Sequence, residues 1–318
     1  MSARTDYKAE LNQRFWDYQR ANFPRWEGVL QRPEAQDGRP PVFIRREAWR
    51  NVILAPDASQ DETDRVLAFI ALGERHKWFG SMSSSQALAQ SVFANLAVNG
   101  LLDWLGKVPD DEGMPLFGDV RVSRDNFEME HMIDYLGEPR QTSLDGYVSG
   151  DYRIAIECKF TEAEVGTCSR PRLKKSEEEY CSGIYSVQGR RLQRCALAEI
   201  GVMYWQYVPE LFSWRNDADL YPCPLNKNYQ LVRNVLAIGV KPDKTAALGG
   251  GHALLIYDER NPAFQPGGDG ASAFLETRSA LRATSMLRKC SWQRIVGQIR
   301  REGLLPWLTE SLSRKYGL

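Results

Sequence analysis

The sequence predicts an α/β fold in which a mixed central sheet is flanked by helices, with helical additions at both ends of the chain. Three observations predict it: a helical run at 83–98, three short alternating runs between 127 and 160, and helical spacing again beyond 192. The order helix, three strands with a hairpin, then helices suggests one α/β domain built on a mixed central sheet.

The first forty residues hold Phe15, Trp16, Tyr18, Phe23 and Trp26 among charged residues and then become polar and Pro-rich at 31–41, which predicts a peripheral helix and a loop. Val66, Leu67, Phe69, Ile70 and Leu72 suit a helix over 61–72. Over 83–98 the leading serines offer an N-cap, Leu88, Val92, Leu96 and Ala97 fall on one face, and Gly100 is the stop. Alternation at 127–134, 143–149 and 152–160 predicts three strands, the last two joined by a tight hairpin at Gly150-Asp151. Helices are expected at 192–207, ending before Pro209, and at 228–238. Gly249 to Gly251 leads into a strand at 253–257, and the last third is read as helical. The expected organisation is an N-terminal helical extension (1–80), a core (81–260) and C-terminal helices (261–318) packed on the same domain.

At 318 residues, 43% hydrophobic and 26% charged, the chain has enough apolar material for a substantial core and does not have the composition of a disordered protein. Lys plus Arg and Asp plus Glu both total 41, so bulk positive charge supplies no affinity for nucleic acid and any phosphate-binding surface must be local. Met1 to Lys8 has no apolar leader core, and no run approaches the roughly 18 apolar residues of a membrane span. The expectation is a cytoplasmic protein with no membrane partner.

The chemistry concentrates in Thr142 to Glu162, TSLDGYVSGDYRIAIECKFTE. Alternation puts Ile154, Ile156, Cys158 and Phe160 on one strand face and Ala155, Glu157 and Lys159 on the other. Alone, an E-x-K is an ion pair on a partly exposed strand. Here the surrounding strand is apolar, and the hairpin can bring Asp145 beside Glu157. Two carboxylates and an ammonium in one small volume supply hard oxygen ligands for a divalent cation and a positive charge for water and phosphate.

These residues resemble the PD-(D/E)XK nuclease superfamily, whose restriction-endonuclease-like core runs helix, three antiparallel strands, helix, strand. Leu144-Asp145 falls at the family's Pro-Asp position, with Leu in place of Pro, and Glu157-Cys158-Lys159 at its (D/E)-x-K position. The resemblance implies a magnesium-dependent nuclease, with manganese able to substitute, acting on nucleic acid and most naturally DNA, in restriction, defence or repair. It assigns metal binding to Asp145 and Glu157 and water positioning to Lys159. The 83–98 helix contains no acid of its own, so a further one is expected from Glu128 or Glu130, which alternate onto one face; Glu130 is favoured. Gln86 and Gln90, one helical turn apart, and Gln188 or Gln230 downstream are accessory candidates. Basic residues at 170–175 and 190–194 offer a local phosphate-binding surface.

Cys158 and Cys290 read as core thiols. Cys168, Cys181, Cys195 and Cys223 are either further thiols or ligands for zinc or an iron-sulfur cluster; no C-x-x-C pair occurs among them. An enzyme cutting both strands of a duplex would suit a homodimer. The competing reading is a nucleic-acid-binding or assembly module that keeps a nuclease-like fold without catalysis, distinguished by whether substitution at Lys159 abolishes an activity.

Overall fold

The computed structural model describes residues 3–31, 38–139, 142–168, 195–214 and 223–318. Its centre is a five-stranded sheet in the order β1 (Phe127–Ile133), β2 (Thr142–Val148), β3 (Arg153–Cys158), β4 (Gly251–Tyr257) and β5 (Leu287–Ser291). β1, β2 and β3 pair antiparallel, and β3 to β4 and β4 to β5 pair parallel. β3 and β4 are buried along their whole length, as expected of strands covered by helices on both faces.

One face carries α3 (Ser85–Val98), with α1 (Ala3–Asn22), α8 (Trp292–Arg301) and α9 (Pro306–Tyr316) completing its layer. The other carries α6 (Leu225–Gly239) and α7 (Asp269–Ala280), with α4 (Ala196–Glu199) and α5 (Tyr204–Leu211) beside them. Phe15 of α1 meets Phe160 and Tyr316 edge to face, which seats the N-terminal helix against the end of the motif strand. α2 (Gln60–Leu67) begins in a reciprocal capping box between Ser59 and Glu62. Among the described residues no helix is long and apolar enough to cross a membrane.

The α/β architecture is as the alternation and helical spacing predict, and the differences from the expected elements are local. The β2–β3 connection spans 149–152 rather than two residues, with Gly150 at φ 138°. The helix expected at 192–207 is broken by Gly201, whose φ of 95° ends α4, and Pro209 lies inside α5 rather than after it. β5 falls within the stretch read as helical: Leu287, Arg288, Lys289, Cys290 and Ser291 have no clean alternation, and the strand's place is set by pairing with β4.

β1 and β2 each turn over along their length. Phe127 and Met129 lie in the α3-side core but Ile133 lies in the α6-side core; Val148 lies in the first and Leu144 in the second. Strict alternation would keep each set on one face. The reversal occurs at Glu130, whose φ is 53°, and at Asp145, which the register places opposite it.

Candidate active site

The turned-over strands open a cavity of about 730 Å³ between the start of α3, the ends of β1 to β3, and α6. Glu130, Asp145, Glu157, Lys159, Gln230 and Arg233 all line it. Alternation on β3 sends Glu157 toward α6 while Cys158 enters the α3-side core. Glu157 is 4% exposed, and its Oε1 is 2.8 Å from Lys159 Nζ. Its Oε2 accepts from Asn234 Nδ2 at 2.9 Å and Arg233 Nη2 at 3.3 Å. Lys159 Nζ also donates to Gln230 Oε1 at 2.8 Å. Gly166, at φ 101°, leaves room for Gln230, since a Cβ there would lie 2.1 Å from its Oε1. Asp145 Oδ2 accepts the Cys158 N–H at 2.6 Å, which ties the β2 carboxylate to the motif strand.

The three acids are electrostatically distinct. Burial, then the charges of Glu157 and Glu130, hold the Asp145 carboxyl well above the usual range. Burial also raises Glu130, with Glu157 and Glu74 adding to it. Burial pushes Glu157 the same way, but Lys159 and Arg233 outweigh it and hold the carboxyl low. Lys159 is the complement: burial disfavours its charge, and Glu157, Glu162 and Asp145 more than restore it.

The structure therefore brings together Asp145, Glu157, Lys159, Glu130, Gln86 and Gln230. Gln86 reaches Glu130 Oε1 through Nε2 at 2.6 Å. Gln90 lies away from the cavity lining; its amide donates to Val66 O and Leu67 O and anchors the end of α2. Glu128 does not share a face with Glu130 as simple alternation requires, because the positive φ of Glu130 separates them; Glu128 pairs instead with His131 Nδ1 at 2.6 Å. Gln188, Cys181 and the basic residues at 170–175 and 190–194 lie outside the described residues.

The sequence puts Gln230, Arg233 and Asn234 at i, i+3 and i+4 on one polar helix face, of which only Gln230 is a site candidate by resemblance; the structure adds Arg233 and Asn234 through Glu157, and Glu162 has no sequence signal of its own. Glu162 also lines the cavity; its carboxylate accepts from Ser85 Oγ at 2.7 Å and from Phe160 N–H at 2.5 Å, joining the strand end to the first turn of α3. Cys158 and Cys290 are buried in the α3-side core, and Cys168, Cys195 and Cys223 gather with the α6-side core, none in a disulfide. Among the described residues no group of three or more His, Cys, Asp or Glu side chains is disposed to hold a metal ion.

A family model described as Restriction Endonuclease associating with ARP matches residues 19–317, and the chain belongs to that family. No curated protein and no solved structure matches it. The family's description is that of a restriction endonuclease, and the five-stranded mixed sheet with helices on both faces is compatible with a restriction-endonuclease-like core.

Proposed function

We propose that the chain is a metal-dependent nuclease of the PD-(D/E)XK type that hydrolyses phosphodiester bonds of DNA, with Asp145, Glu157 and Lys159 at its centre. The observation that carries this reading is the convergence, in one open cavity, of the β2 carboxylate with the Glu157–Lys159 pair of β3. Clustered carboxylate oxygens are the donor type that magnesium or manganese takes: burial first, and neighbouring carboxylates after it, oppose ionisation at Asp145 and Glu130, and a hard divalent cation would offset that cost. Asp145 and Glu157 would hold the cation, which when bound supplies Lewis-acid stabilisation of phosphate charge and a more acidic water.

The chain's own residues do the rest. Lys159 keeps a full positive charge in a buried position, set to orient a water and to offset charge developing on the phosphate. Gln230 fixes its Nζ from α6, and Arg233 and Asn234 hold Glu157 in place from the same helix. Gln86 holds Glu130 against the opposite wall.

The test is incubation with supercoiled plasmid, linear duplex and single-stranded DNA in magnesium, manganese or EDTA, with Asp145→Asn alongside. Cleavage that needs the metal and is lost in the variant is the expected result. A folded wild type inactive on every form would overturn the reading and leave the non-catalytic binding module.

A further inference from the structure

The cavity has a rim whose chemistry the acid cluster does not use. Residues 74–78 form an exposed loop before α3, and Glu74, His76 and Trp78 all line the cavity. Trp78 is 56% exposed, and Lys77 Nζ lies 5.6 Å from its ring centroid. A large indole left in water at the mouth of a polar cavity is a ready stacking surface.

The loop is not loosely attached. Gln86 Oε1 accepts the His76 N–H at 2.8 Å, while Gln86 Nε2 donates to Glu74 O at 3.2 Å and to Glu130 Oε1 at 2.6 Å. One side chain thus fixes the rim relative to the acid wall. Within the loop the Trp78 backbone N–H donates to His76 Nδ1 at 3.3 Å. Nδ1 is the acceptor, so a neutral imidazole carries its proton on Nε2, and that N–H is a donor at the cavity edge.

This inference rests on the nuclease reading and names the substrate form. We propose that the 74–78 loop is a nucleobase platform: Trp78 stacks on the base beside the scissile phosphate and His76 Nε2–H meets a flanking phosphate. The site accordingly takes a strand that is unpaired at that nucleotide, because a base within a duplex stack has no open face to offer the indole.

The test is fluorescence anisotropy in EDTA, where binding is read without turnover, using a single-stranded oligonucleotide, the same strand with a run of abasic sites, and a fully paired blunt duplex. Trp78→Ala weakens binding of the normal single strand about tenfold, and Trp78→Phe restores most of it. Wild type binds the abasic strand as weakly as Trp78→Ala binds the normal one, and duplex binding is unchanged by the substitution. Equal affinity of wild type and Trp78→Ala for the single strand, an equal loss on the duplex, or no binding to any of the three would overturn the platform. A parallel cleavage assay with magnesium separates the two claims. Trp78-dependent binding without cleavage keeps the platform and removes the nuclease, and cleavage with Trp78-independent binding does the reverse.

Discussion

Lys159 and Lys315 are both buried, 7% and 1% exposed, and their surroundings could hardly differ more. Lys159 sits against Glu157 and within the field of Glu162 and Asp145, which raise its pKa despite burial. Lys315, in the last turn of α9, has amide oxygens instead: its Nζ donates to Asn51 O and to Asn51 Oδ1, the latter at 2.7 Å, and lies over the rings of Tyr18 and Tyr316. Burial pushes its pKa down to about 7. Burial by itself drives an ammonium toward neutrality; a buried lysine stays charged where acids are gathered around it. A gathered charge of that kind marks a site, and Lys315 marks a structural joint, because Asn51 in turn donates to Phe79 O and Ser81 O and holds the segment leading to α3.

The comparison can be broken most forcefully at Glu157. Glu157→Gln leaves Lys159 and Arg233 buried without their counter-charge, and urea denaturation should show a loss of roughly 3–5 kcal/mol. An unchanged midpoint would mean that the cluster is better solvated than its burial implies.

Lys315 sharpens the contrast through pH. Its folded-state pKa of about 7 lies below the unfolded value of about 10.4, so between those values the unfolded chain binds the extra proton and stability rises with pH. Wild type should gain on the order of 4 kcal/mol from pH 7 to pH 10 relative to Lys315→Met. Parallel pH profiles for the two proteins would contradict the lowered pKa of Lys315.

Asp145 shifts in the opposite sense. Its folded-state pKa is raised above the unfolded value, so its contribution is fully present in acid and is lost as pH rises through the folded pKa. In EDTA, Asp145→Asn should melt above wild type at pH 7 to 8, and the gap should close on acidification.

The smallest expected effect is at Gln230. Gln230→Ala removes one hydrogen bond to Lys159 Nζ and should slow cleavage about tenfold while changing stability by no more than about 1 kcal/mol. Steady-state cleavage rates beside a denaturation curve would check both halves.

What could be read from the sequence follows from local periodicity. Ile154 to Phe160 alternates cleanly, so the burial of Ile154, Ile156 and Cys158 and the opposite placement of Glu157 were legible, and Asp145 followed from the hairpin. Glu130 was nominated, but its route into the cavity was not legible: a positive φ in a Glu has no sequence signature, and the reversal it makes with Asp145 is a property of the paired strands. Gln86 and Gln90 looked alike one turn apart, yet one joins the acid wall and the other caps α2, because their partners come from distant segments. The same holds for the two lysines. Glu157-Cys158-Lys159 and Arg314-Lys315-Tyr316 are both short charged patterns, and only the fold decides which ammonium meets carboxylates.

The most direct test of the central claim is DNA cleavage in magnesium by wild type, Lys159→Ala and Lys315→Met, compared at equal folded concentration. The gathered-charge account predicts a fall of roughly 10²–10⁴-fold for Lys159→Ala and a near wild-type rate for Lys315→Met. Cleavage that survives Lys159→Ala with the fold intact would contradict it.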